Sequence, residues 1–245
     1  MYFKKNRINI YLMVIAIALF VSCDDLFNSG DIITKEYELE DFSEIYIEDI
    51  FNIFLVQDTI CSLKLEGGSN LLSDIDFYIK DNKFHITNEN GGTWSRKYEQ
   101  ISVYIRLKDI TFLKVDESSR VETIDTLKLP KLTIQSITDY ADISLTIKSN
   151  NFYFVNEGTS GGYFTFKGKT INSKMFARGS CIIDASELQS VSSNIKTESI
   201  GDCTINVSEK LKVEILRTGN VFYKGNPSEI TYVNEKAKKQ LISLN

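Results

Sequence analysis

From residue 35 onward, apolar and polar positions alternate. Ile45-Tyr46-Ile47, Phe51-Asn52-Ile53-Phe54-Leu55, Leu63-Lys64-Leu65 and Ile101-Ser102-Val103-Tyr104-Ile105 each place every second side chain on one face. That period of two is the mark of a half-buried strand, and the β-branched and aromatic content agrees with it. No window long enough to show a helix carries a helical stripe; Ser69 to Asp74 allows one helical turn. Phe77-Tyr78-Ile79-Lys80 and Phe84-His85-Ile86-Thr87 flank Asp81-Asn82-Lys83, which signals a hairpin. His85 falls on the polar side of its strand, where a solvated side chain is expected.

The second half repeats itself. A small residue, any residue and an apolar residue open a strand six times. The six are Ser119-Arg120-Val121, Ala141-Asp142-Ile143, Gly162-Tyr163-Phe164, Gly179-Ser180-Cys181, Gly201-Asp202-Cys203 and Gly219-Asn220-Val221. The apolar anchors are therefore Val121, Ile143, Phe164, Cys181, Cys203 and Val221. Such a period, roughly 20 residues, marks a solenoid in which each repeat is one coil and neighbours bury each other's apolar faces. Helical periodicity and the leucine-rich frame are both missing, which leaves strands. The expected fold is all-β: a right-handed parallel β-helix, or β-solenoid, with coils of about 20 residues stacked about 4.8 Å apart. Cys181 and Cys203 would then anchor adjacent coils, both pointing inward as free thiols, with a disulfide between them as the alternative. Val221 would open the last coil, Gly225-Asn226-Pro227 would end it, and Ile230 to Val233 would cap the open end.

These stretches resemble the putative auto-transporter adhesin, head GIN domain family. The resemblance runs over residues 40 to 230. It is carried by Phe51 to Gln57, Leu63-Lys64-Leu65-Glu66-Gly67-Gly68-Ser69-Asn70-Leu71-Leu72, Asp81 to Ile86, Val103-Tyr104-Ile105, the repeated corners, and Val221-Phe222-Tyr223-Lys224-Gly225-Asn226-Pro227. It implies a parallel β-helix, often found on lipoproteins of Bacteroidota, and supplies no catalytic residues. Ser119 and Ala141 depart from it, standing where the later corners have glycine.

The N-terminal segment reads differently. Met1 to Arg7 is basic, Ile8 to Val21 is apolar, and Ser22 precedes Cys23. That is the layout of a secretory signal, with an apolar run too short for a comfortable membrane span. Phe20-Val21-Ser22-Cys23 resembles the lipobox of bacterial lipoproteins, with Phe20 where leucine is usual. The resemblance implies cleavage before Cys23 and acylation of that residue; an ordinary signal peptide with an incidental cysteine is the alternative. Asp24 and Asp25 resemble the acidic export signal of Bacteroidota lipoproteins, or form a plain solvated tether. The expected organisation is a signal peptide at 1–22, a lipidated acidic tether at 23–34 and one solenoid at 35–245. The expected location is the outer membrane, on the cell surface, with the periplasmic face as the alternative. The membrane would be reached through the N-terminal lipid.

Charge narrows the partners. Residues 1–22 carry Lys4, Lys5 and Arg7 and no acid, so their removal takes the formal net charge from −5 to −8. An acidic body argues against nucleic acid. One histidine excludes multi-histidine metal sites, and no Cys-x-x-Cys spacing suggests zinc; neither a metal nor a cofactor is expected. Asp139, Asp142, Asp184 and Asp202 are the acids nearest to an enzymatic cluster. Asp142 and Asp202 share a corner position three coils apart, with Tyr163 and Ser180 between them. The expected function is a non-enzymatic envelope module, adhesin-like or structural. A glycan-active β-helix enzyme and a self-associating scaffold are the alternatives. For a glycan or envelope-protein partner, the contact expected is the Asn90 to Tyr98 loop, with Trp94, Arg96 and Tyr98. The competing reading folds Trp94 onto the solenoid flank.

Overall fold

The computed structural model describes residues 29–88, 101–157 and 161–245. Among them, seventeen strands join one continuous sheet wound into stacked coils, which is the expected β-solenoid. Strands β1 (Ile32–Glu38), β2 (Glu44–Ile47), β3 (Asn52–Gln57), β4 (Ser62–Gly68), β5 (Ile75–Lys80) and β6 (Lys83–Asn88) precede the loop to β7 (Ser102–Leu107). Then come β8 (Phe112–Val115), β9 (Arg120–Thr123) and the bent strands β10 (Leu127–Ser136), β11 (Asp142–Asn156), β12 (Tyr163–Gly179), β13 (Ile182–Ser199) and β14 (Cys203–Ile215). Strands β15 (Val221–Lys224) and β16 (Glu229–Tyr232), helix α1 (Glu235–Gln240) and β17 (Leu241–Ser243) finish the chain. The expected tether therefore overlaps β1 at residues 32–34.

Two parallel ladders run the length of the stack. In the first, inward side chains follow the column Phe84, Ile45, Leu113, Ile134, Phe154, Met175, Ile195 and Val213. In the second they follow Val103, Ile53, Val121, Ile143, Phe164, Ile183, Cys203 and Val221. All of these residues are buried. Parallel in-register stacking puts each apolar side chain over its equivalent in the next coil, so the core is a set of columns. Phe154 lies 4.6 Å from Phe164 and 5.1 Å from Phe166, measured between ring centroids. The bent strands add a third ladder, in which 127–129, 147–149, 168–170, 188–190 and 206–207 lie side by side.

Coil order departs from chain order. The β2–β3 coil lies between β6–β7 on one side and β8–β9 on the other: Ile45 faces both Phe84 and Leu113, and Ile53 faces both Val103 and Val121. Antiparallel strands finish this end. β4 pairs with β7, β1 pairs with β4, and β5 forms a hairpin with β6. Asp81 and Asn82 turn that hairpin with φ of 53° and 62°, the left-handed pair that a tight two-residue turn requires. Gly67 and Gly68 finish β4, and the turn opens at Ser69. Its Leu71 and Leu72 amides both bond to the Gly68 carbonyl.

Two expectations of register are corrected. Cys181 does not anchor a coil, because Ile183 faces Cys203 and Cys181 falls in the small-residue column with Ala141, Gly162 and Gly201. Gly179 is the end of β12 and not a corner that opens the next strand. Residues 230–233 do not lie over the open end as a cap either. β16 continues the first ladder beside β14, and β17 continues the second beside β15, so the chain completes a further coil. The short α1 between them was not legible as periodicity. Asn234 caps it: its Oδ1 accepts from the Ala237 amide at 3.0 Å, and its Nδ2 donates to the Ile215 carbonyl at 2.7 Å.

Candidate functional site

Cys23, Trp94, Arg96 and Tyr98 all lie outside the described residues. Of the acids singled out, Asp142 follows Arg120 in its column, and Tyr163, Ile182 and Asp202 come after it; Ile182 stands where Ser180 was expected. Three coil steps still separate Asp142 from Asp202, about 14 Å at about 4.8 Å per coil. Asp184 accepts from the Ser186 amide, a local turn bond, and Asp202 accepts from the Asn220 amide of the next coil. Among the described residues, no three His, Cys, Asp or Glu side chains gather as a metal site.

Cys61, Cys181 and Cys203 are buried and free. Burial in apolar surroundings pushes the thiols of Cys181 and Cys203 up, the latter well above the ordinary cysteine range. A nucleophilic cysteine requires the opposite environment.

His85 is not solvated as expected. It faces outward, but Tyr46 and Tyr78 stack against it from the neighbouring strands, each with a centroid separation of 4.7 Å. Its Nδ1 lies 2.9 Å from Glu48 Oε1, and its side chain is 16% exposed. Phe112 extends this row of rings beyond Tyr46 at 5.7 Å. The ring is held by stacking and by one carboxylate.

The third ladder carries the most distinctive surface. Its outward column reads Lys128, Lys148, Lys169, Gln189 and Asn206, each residue directly beside the next. A second column, with Pro130, Asn150, Ile171, Val191 and Ser208, borders the same groove of about 770 Å³. Beneath it, the inward column from Leu129 to Val207 carries three hydroxyls at its centre: Ser149 Oγ donates to Thr170 Oγ1 at 3.0 Å, and Ser190 Oγ donates to the Asn206 carbonyl at 2.7 Å. Among the described residues, the groove lining holds three lysines and no carboxylate, on a chain with more acids than bases. Elsewhere, Lys64, Lys83, Lys108, Lys114, Lys167, Lys196, Lys210 and Lys238 each pair closely with an acid. Like charges placed directly opposite across a sheet destabilise it, so the lysine column costs the fold something that these paired lysines avoid. Sequence reading missed the column because Lys128, Lys148 and Lys169 lie one coil apart along the chain and outside the corner motif. The repeat period was the signal that could have aligned them.

Comparison with known proteins agrees with this architecture. No curated protein matches the chain. A putative adhesin from Bacteroides fragilis NCTC 9343 superposes with a TM-score of 0.73 at 19% identity, over 87% of this chain and 95% of that one. A putative adhesin from Parabacteroides distasonis ATCC 8503 gives 0.64 at 18%, over 87% and 97%. A putative lipid binding protein from the same organism gives 0.62 at 15%, over 88% and 98%. At these identities the likeness is one of fold. The model of the family described as putative auto-transporter adhesin, head GIN domain matches residues 41–227, and the chain belongs to that family.

Proposed function

We propose that this protein is a non-enzymatic binding module of the cell envelope, adhesin-like, displayed on the outer membrane through a lipid on Cys23. The observation that carries the reading is the third-face groove. It is an open, regular surface whose unpaired charges serve no structural partner within the described residues. Two of the neighbouring structures bear the name of putative adhesin, which supports the same reading. In this arrangement residues 1–22 direct export, the acylated Cys23 holds the membrane, and the solenoid faces outward. Several acyl chains, at about 0.8 kcal/mol per buried CH₂, give lasting attachment.

Metabolic labelling with a lipid probe tests the anchor. Wild-type protein should incorporate label and sediment with membranes, and Cys23→Ala should do neither. Surface display is read separately, by protease accessibility on intact cells. A Cys23→Ala protein that stays in the membrane fraction would defeat the anchor.

A further inference from the structure

Resting on the reading of the chain as a surface binding module, we propose that the third-face groove binds an acidic polysaccharide, whose anionic groups seat on Lys128, Lys148 and Lys169. The three lysines occupy one column across three consecutive coils. They therefore span about 9.6 Å along the solenoid axis, at about 4.8 Å per step. A single small anion cannot contact all three ends of such a line, whereas a linear chain with repeated charges can. Hydrogen bonds of charged donors to anionic oxygens are the strong class, and the groove supplies them in series.

The rest of the lining suits sugar. Asn150, Gln189 and Ser208 offer amide and hydroxyl groups to ring hydroxyls. Ile171 and Val191, 49% and 36% exposed, give the C–H face of a ring an apolar strip beside the lysines. An acidic peptide fits less well. The backbone under the groove is already paired on both sides in β11, β12 and β13, and at the β10 edge the Gln57 side chain takes both the Lys128 amide and the Lys128 carbonyl, so an added strand finds its hydrogen bonds already occupied. Nucleic acid fits poorly too, because among the described residues no aromatic side chain lines the groove to stack on bases, and the chain is net negative.

Affinity electrophoresis of the full chain, extracted in nonionic detergent, tests this with polygalacturonate, heparin, neutral dextran and single-stranded DNA in the gel. Retardation by polygalacturonate or heparin is expected, weakening as salt rises. The triple variant Lys128→Gln, Lys148→Gln, Lys169→Gln should lose about tenfold in affinity. Lys174→Gln with Lys212→Gln, on the first ladder, should stay within about twofold of wild type. The triple variant should melt at or above the wild-type temperature, because removing the column relieves repulsion; a matched melt shows that lost binding is not lost folding. Equal retardation of wild type and triple variant overturns the proposal. So does retardation by dextran alone, or by DNA in preference to both glycans. If the chain ignores both polyanions yet captures a neutral envelope glycan, the groove assignment fails and the surface-module reading survives. Capture of no glycan, together with Cys23→Ala remaining membrane-bound, defeats both.

Discussion

The Ser119 hydroxyl accepts from the Phe51 amide at 3.0 Å and donates to the Asp49 carbonyl at 2.7 Å, bridging coils that are far apart along the chain. Both groups sit at a buried corner where β9 stacks on β3. Serine stands here, where later corners have glycine, because its side chain satisfies a backbone donor. Ser119→Ala should lower unfolding stability by about 1–3 kcal/mol, the cost of leaving a buried amide unpaired. Urea titration measures it; a shift under about 0.3 kcal/mol would show that the bond contributes nothing net.

Gly219 is required by crowding. A Cβ there would collide with the Gly201 carbonyl oxygen in the coil before, and a Cβ on Gly201 would meet the Cys181 carbonyl in the same way. Neither glycine has positive φ. Gly219→Ala should therefore cost about 1–3 kcal/mol through overpacking, read as a lower melting temperature. Ala141→Gly, where the column already accepts a methyl, should cost only about 0.5–1 kcal/mol.

The buried thiols make an alkaline prediction. Burial raises Cys181 and Cys203 in the folded chain, while unfolded cysteine titrates near pH 8.5. Below that pH both states hold the proton, so the full contribution is present. Above it the unfolded chain releases protons that the folded chain retains, and stability falls by at most about 1.4 kcal/mol per pH unit for each thiol. Cys181→Ala with Cys203→Ala should flatten the fall in melting temperature between about pH 8.5 and 10. Both wild-type thiols should resist a disulfide reagent until the protein is denatured. Rapid native labelling of either would contradict their burial.

At the far end, Asn234 joins α1 to the ladder through Ala237 and Ile215. Asn234→Ala should cost about 1–2 kcal/mol as cap and ladder bond are lost together. Deleting residues 228–245 is harsher, since it strips β16 and β17 from the edges of β14 and β15. That truncation should aggregate, because exposed ladder edges pair with one another. Light scattering checks it; a monomeric, soluble truncation would show that β14 and β15 tolerate exposure.

Alternation alone located the strands that became β2, β3, β4 and β7, and Asp81-Asn82 located the hairpin, because side-chain direction and turn dihedrals depend on residues a few positions apart. The recurring small-x-apolar corner was enough to specify a solenoid, since only stacking buries so many half-apolar faces. Coil order was beyond its reach. The insertion of the β2–β3 coil between β6–β7 and β8–β9 depends on which of several equally apolar faces meet, and Ile45 reads the same beside Phe84 as beside Leu113. Register failed for a similar reason at Cys181, a small side chain that fits a corner or a core column equally well until Ile183 occupies the core. The lysine ladder belongs to the tertiary structure as well. Lys128, Lys148 and Lys169 stand about one repeat apart along the chain, and the wrap of β10, β11 and β12 decides that this spacing becomes one outward line.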